Sequence, residues 1–319
     1  MSDNMKNIDE KEVASDQQTV SESSEAVKTM KENNIQTVSK KQLVVKIFVQ
    51  IGLYAFLAIM AVVVLFPFYW MLMSSVKTIE EYNASVPTLW PRQFRWETYK
   101  IAFEKVDFGK VFLNTCFVGI VSTVLSLIIT VLSAYAFAKF EFKGKNVMFA
   151  ALLATMMIPG ELFTITNYIT VVAWFSWDNT FTALIVPFLV SVFYIYLLRQ
   201  NFMQIPNELY LAAKVDGTSD LKYLWKVMIP LAAPTLISIT ILKMMGSWNS
   251  YIWPNLVNDD KSYWLMTQAL RTTDWGQGLM ADLPAQMAAV VLVTVPLLIV
   301  FLIFRKYIIR GVSRGGIKG

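Results

Sequence analysis

The sequence predicts an all-α polytopic membrane protein with six transmembrane helices. Three observations predict it. Of the 319 residues, 55% are hydrophobic and only 16% charged, with a mean hydropathy of +0.48, a membrane composition rather than a soluble one. The apolar residues gather into six stretches that carry at most one charge each, and each is as long as the ~20 residues that cross a bilayer. Lysine and arginine are distributed unevenly over the loops between these stretches, as the positive-inside rule requires of a multi-span chain.

Residues 1–42 come first. They are rich in Ser, Gln, Asn, Glu and Lys and hold no aromatic residue. Such a segment cannot bury a core and is expected to be a disordered tail. It lacks the charge, apolar run and cleavage site of a secretory signal. Ile47 to Val76, uncharged throughout, is span one, with Phe66, Phe68, Tyr69 and Trp70 crowding its far end like an interfacial belt. Residues 77–110 mix charges with Trp90, Pro91 and Trp96 and read as a polar loop with short helical pieces.

Val111 to Ala138 is span two, followed by the lysine-rich loop 139–145. Span three runs from Asn146 to about Val171 and is interrupted by Pro159-Gly160-Glu161. Span four, Asn179 to Leu198, contains Pro187. Span five, Leu231 to about Val257, carries Lys243. Residues 258–282 form a polar outer segment, Leu283 to Phe304 is span six, and 305–319 is a basic tail. Basic residues collect before span one, at 139–145 and at 305–319, and none lies between spans three and four. This puts both termini and the 199–230 loop in the cytosol.

Several function classes drop out. The chain has no histidine and one cysteine, Cys116. Ser-His-Asp catalysis, histidine metal sites and an internal disulfide are therefore excluded. Gly109-Lys110 and Gly144-Lys145 are followed by Val and Asn, so no phosphate-binding P-loop is present. Any ATP chemistry belongs to another subunit. The net charge of +5 reads by location in loops and not as a nucleic-acid signal.

The stretch 199–234 stands apart, polar between two apolar spans. Pro206 ends whatever precedes it and can open a new helix. Leu209, Ala212, Ala213 and Val215 give that helix an apolar face, and Gly217 stops it as a left-handed cap does. Leu221, Leu224, Trp225 and Met228 recur at i, i+3, i+4, i+7, until Pro230 and Pro234 close the run. The pattern is helix, glycine turn, helix. Its apolar face suits docking to a partner. Lys222 and Lys226 suit an amphipathic loop on the lipid interface equally well.

This stretch resembles the "EAA" loop of permease subunits of bacterial ABC importers: Glu-Ala-Ala, three residues, Gly, about nine residues, then an Ile-x-Leu-Pro-like ending. Ala212, Ala213, Asp216, Gly217, Ile229, Pro230 and Pro234 fit it, whereas Leu211 stands at the glutamate position. Glu208 lies one turn earlier on the same face. Met157-Ile-Pro-Gly, Leu197-Leu198-Arg199-Gln200, Ser247-Trp248-Asn249 with Trp253-Pro254, and Tyr307 through Gly319 extend the resemblance over roughly 43–319, to the second permease of maltose-type carbohydrate importers. The resemblance implies the ABC importer type I permease fold, with a first helix and outer loop at 43–107, a permease core at 108–304 and a coupling loop at 204–230.

It further implies that Glu208, Leu211, Ala212, Ala213, Asp216, Gly217 and Thr218 meet an ATPase subunit. The implied partners are a second homologous permease, two ATPase subunits that bind ATP and Mg, an extracytoplasmic sugar-binding protein and membrane lipid. This chain itself would hold no cofactor and do no covalent chemistry, and it would sit in the bacterial inner membrane. The segment Gly315-Gly316-Ile317-Lys318-Gly319 is similar to the tail that reaches between the ATPase subunits in maltose-type importers. A basic membrane-flanking tail is the plainer reading. An ion-coupled secondary transporter is the alternative from another class, and inverted repeats would favour it.

Polar residues inside the spans are candidates to line a substrate passage, without forming a tight site. Trp248, Asn249, Tyr251 and Trp253 in span five, and Thr164 and Asn167 in span three, combine rings that stack on sugar faces with amides that bond hydroxyls. An interfacial aromatic belt explains Trp253 as well. Glu161 and Lys243 are expected at similar depths, about 22 and 18 Å in at ~1.5 Å per residue. A charge at that depth needs a partner. The options are a Glu161–Lys243 pair, a Lys243 that faces an acidic sugar, or solvation by water and backbone carbonyls.

Overall fold

The computed structural model describes residues 40–313. The expected N-terminal tail, up to residue 39, and the Gly315–Gly319 segment lie outside the described residues. Every regular element among the described residues is helical. The chain divides into two units at Pro67/Phe68. The first holds most of α1 (Lys40–Ser74), a 35-residue helix whose side chains from Val45 to Pro67 are all exposed.

The second unit carries the remaining elements. They are α2 (Ile79–Tyr82), α3 (Glu97–Lys105), α4 (Phe108–Lys139), α5 (Lys145–Thr155), α6 (Gly160–Trp174), α7 (Phe181–Phe188) and α8 (Val192–Met203). Then come α9 (Asn207–Val215), α10 (Asp220–Leu231), α11 (Ala233–Trp248), α12 (Ile252–Val257), α13 (Met266–Thr272) and α14 (Leu283–Ser313).

Among the described residues, three helices are long and apolar enough to cross a bilayer unbroken: α1, α4 and α14. The other three expected spans are broken. α5 and α6 meet at 87°, α7 and α8 at 47°, α10 and α11 at 79°. Counting each bent pair as one span gives six. The breaks have local causes. Pro159 precedes α6, Pro187 sits in the last turn of α7, and Ala232 separates the proline-bearing starts of α11 and the end of α10. Proline lacks the N–H that would continue the ladder and collides with the preceding turn. Span five is also shorter than expected. Its helix ends at Trp248 and resumes as α12 after a turn at 249–251.

α4 is the axis of the second unit, since it contributes to all three buried clusters. Phe108 and Val111 pack with α3, α13 and α14. Val118 packs with α6, α7 and α12. Val131, Ala134 and Tyr135 pack with α8 and α10. Thr115, Ser122, Thr123, Ser126 and Thr130 are buried along the same helix. Small residues of this kind let neighbouring helices approach closely, which replaces the missing hydrophobic drive between helices in lipid. Asp107 starts α4 by accepting a hydrogen bond from the Lys110 N–H (3.1 Å), an ordinary N-cap.

The loop between α1 and α4 is ordered by polar contacts. Lys77 is 1% exposed. It donates to the Thr88 carbonyl (2.5 Å) and lies 4.3 Å from the centre of the Trp70 ring. Glu81 accepts from the Thr88 hydroxyl and from the Arg92 N–H. Burial pushes the Glu81 carboxyl up, but these bonds and the Lys77 charge outweigh it and hold it below its ordinary range. Arg95 pairs with Asp282 at 3.1 Å, tying this loop to the start of α14.

Candidate functional site

The helix–glycine–helix unit forms as its sequence requires. Pro206 precedes α9, Glu208 lies in its first turn and Lys214 in its last, complementing the helix dipole. Gly217 adopts φ 70°. The Gly217 N–H bonds the Lys214 carbonyl (3.0 Å) and the Thr218 N–H reaches back to Ala213 (2.9 Å). Such bonds satisfy carbonyls that a helix end leaves open.

Asp220, which the sequence reading passed over, holds the unit together. Its Oδ1 accepts from Tyr210 (2.9 Å) and from Tyr135 of α4 (3.4 Å), and pairs with Lys214 (2.9 Å). The bond to Asp220 raises the Lys214 amine above its ordinary value. Burial, reinforced by the same carboxylate, raises the Tyr210 phenol. A carboxylate at the first turn of a helix was the available signal, but its three partners come from folding.

The apolar residues of the unit divide. Tyr223, Leu224 and Met228 are buried at 1% exposure or less against α4 and α8. Their packing anchors α10 to the bundle. The apolar face read from the second run as suited to docking is thus partly covered from within, at Leu224 and Met228. Leu209, Leu211, Val215, Leu221 and Trp225 do stay exposed, Val215 at 88% and Leu211 at 61%. Glu208, Ala212 and Asp216 are exposed beside them, Ala213 is half-buried, and Thr218 is half-buried beyond the turn.

The polar residues inside the spans line two adjoining hollows. One, of about 510 Å³, is lined by Glu161, Thr164, Asn167, Asn249, Tyr251, Thr267 and Arg271, among others. The Arg271 guanidinium lies 4.7 Å from the centre of the Tyr251 ring. Arg271 was missed because it lies in a polar outer segment, and only the return of α13 brings it to this hollow. The other hollow, of about 380 Å³, is lined by Ser122, Ser191, Tyr194, Lys243, Ser247 and Ser250, among others. Phe188, Ser250 and Trp253 line both. Trp248 turns elsewhere, packing edge-on against Phe112 with ring centres 5.9 Å apart.

Glu161 and Lys243 are not brought together as a pair. Lys243 donates to the backbone carbonyl of Phe188 at 2.5 Å, and no ion pair among the described residues joins it to Glu161. Similar depths hold only for straight helices, and both spans are bent. The 87° bend stops Glu161 from continuing the axis of α5, and the 79° bend moves the start of span five to Ala233. Of the three options, the backbone carbonyl holds for Lys243.

Broken spans around polar hollows, joined through a glycine-turned helix pair at one end, define a solute-conducting membrane subunit. The chain belongs to the family of binding-protein-dependent transport system inner membrane components, whose model matches residues 39–314. It is a transport permease subunit and not an enzyme, and ATP hydrolysis is the work of a separate subunit in this family. Over 264 residues it is 31% identical to the diacetylchitobiose uptake system permease protein NgcG of Streptomyces coelicolor, covering 82% of this chain and 87% of that one. It is 29% identical to the arabinooligosaccharides transport system permease protein AraQ of Bacillus subtilis, covering 85% and 96%. A solved chain of a bacterial ABC transporter involved in the import of the acidic polysaccharide alginate superposes with a TM-score of 0.72, at 25% identity, over 82% of this chain and 96% of that one. The family membership sets aside the ion-coupled alternative.

Proposed function

We propose that this chain is one of two permeases in an ATP-driven importer for a sugar or oligosaccharide. It receives the sugar from an extracytoplasmic binding protein and passes it to the cytosol by alternating access. Two ATPase subunits bind ATP and Mg, and their closure pulls on the coupling loop, 204–230. The carrying observation is that loop itself: a helix–glycine–helix unit, anchored inward by Tyr223, Leu224 and Met228, with Leu209, Leu211, Val215, Leu221 and Trp225 exposed. An apolar face on a firmly anchored element is what a docking surface needs. In this reading Glu208, Leu211, Ala212, Ala213, Asp216, Gly217 and Thr218 serve ATPase coupling, and both termini lie in the cytosol. The permease core is 108–304.

Glu161, Asn167, Asn249, Tyr251 and Arg271 line the sugar's passage. All five line the same hollow, where their amide, carboxylate and guanidinium groups offer donors and acceptors to a hydroxyl-rich ligand, and the Tyr251 ring lies under the Arg271 guanidinium. Lys243 borders the passage, and Trp248 stands behind it. The sugar relatives named above are consistent with this class. The test is reconstitution of the permease with its gene-neighbour permease, ATPase and binding protein in proteoliposomes. ATP-dependent uptake of labelled glycans from a panel is the expected result. Uptake that continues without ATPase or binding protein would overturn the proposal.

A further inference from the structure

The bend between α7 and α8 leaves two backbone carbonyls without helix donors. In a continuous helix the Ala183 carbonyl accepts from the N–H of residue 187. Residue 187 is proline and has none. The Phe188 carbonyl would accept from the N–H of residue 192, but α7 stops at Phe188 and α8 starts at Val192 after a 47° bend. Inside a membrane an unsatisfied carbonyl is costly, and broken helices persist there only where neighbours satisfy the freed groups.

Both donors come from span five. The Trp253 indole N–H donates to the Ala183 carbonyl at 2.9 Å. The Lys243 ammonium donates to the Phe188 carbonyl at 2.5 Å. The Phe188 ring, in turn, packs edge-on against Trp253, with centres 5.4 Å apart at 84°. Phe188 is thus held by its carbonyl from one side and by its ring from the other. It lines both hollows.

We propose that Lys243 is a positioning residue of the passage. With Trp253 it clasps the broken helix of span four and fixes Phe188 as the partition between the two hollows. Its role is hydrogen-bond donation to a backbone oxygen, not attraction of an acidic substrate. A charged donor suits this carbonyl because charge-assisted bonds are about twice as strong as neutral ones. The four-carbon stem lets the ammonium reach across to α7 from α11.

The test is hydrogen exchange by mass spectrometry on the assembled transporter in lipid nanodiscs. Lys243→Met should speed exchange in the 186–195 segment about tenfold, the loss expected for one charge-assisted bond, while α4 peptides stay as protected as in the wild type. Lys243→Arg should restore protection. Trp253→Phe should raise exchange in the same segment. Lys243→Gln, which is neutral but still a donor, should be slower than Lys243→Met, and it serves if the methionine variant does not assemble. A second arm follows ATP-driven uptake of two labelled probes, neutral diacetylchitobiose and an alginate trisaccharide. Equal reduction of whatever is carried supports the clasp. Wild-type exchange in Lys243→Met, or a loss confined to the acidic probe, overturns it. The exchange arm needs no substrate, so it reads even if the importer proposal fails.

Discussion

Gly217→Val separates backbone conformation from every other effect in the coupling loop. Gly217 sits at φ 70°, and a Cβ built there meets nothing within 4 Å. Collision with neighbours therefore contributes nothing. The left-handed region costs an ordinary L-residue ~1–2 kcal/mol, and a β-branched one up to ~3 kcal/mol. At ~3 kcal/mol the turn that sets α9 against α10 is depopulated about 100-fold. Asparagine tolerates this region, so Gly217→Asn should keep most activity and Gly217→Ala an intermediate share. The assay is ATP-driven uptake by cells carrying the full transporter, normalised to permease in the membrane by immunoblot. Uptake should fall in the order Gly, Asn, Ala, Val at constant membrane abundance. Wild-type uptake by the valine variant, or equal damage by asparagine and valine, would show that the backbone conformation at 217 does not set coupling.

Three further outcomes are expected. Leu211 is 61% exposed, so Leu211→Glu should leave the fold intact. With an ATPase that offers no nearby arginine, it should reduce co-purification about tenfold, the effect of ~1.4 kcal/mol from an unpaired carboxylate in an apolar contact; unchanged co-purification would show that position 211 does not touch the partner. Asp220→Ala removes the shared acceptor of Tyr210, Tyr135 and Lys214 and should speed hydrogen exchange across 207–223. Asp220→Asn should do far less, because the Lys214 pair is partly solvated and such pairs contribute at most ~1 kcal/mol. Glu81 has a lowered carboxyl, so its contribution to the 77–95 loop is present above the ordinary value of 4.5 and is lost as pH falls through the lower folded-state value. Limited proteolysis of that loop should rise on strong acidification in the wild type, whereas Glu81→Gln should be cleaved readily already at neutral pH.

The spans were legible in the sequence because hydropathy alone places apolar segments. The glycine turn was legible because Gly217 is the residue that a positive φ demands. The bends were not. Pro187 was visible, but whether a proline kinks a helix or merely ends it depends on which neighbours satisfy the freed carbonyls. Pro230 and Pro234, which flank Ala232, were visible as the close of a run, but not as a 79° turn of α10 into α11. Lys243 was recognised as needing a partner, but its partner is a backbone oxygen, and every residue has one. Arg271 and Asp220 escaped because polar residues near helix ends are common and acquire roles only from other elements that fold against them.

The broken spans also bear on how the chain enters the bilayer. α5 has 11 residues and reaches ~16 Å, about half of a ~30 Å hydrocarbon layer. α7 and α8 are comparably short. Such a half-span, leaving the ribosome alone, cannot settle across the lipid with its end carbonyls bare. The Ala183 and Phe188 oxygens find their donors only when Trp253 and Lys243 have been synthesised, 70 and 55 residues downstream. The two carbonyls at the bend between α7 and α8 are thus satisfied only after translation has passed the start of α12, whereas α4 needs no later segment to complete its own ladder.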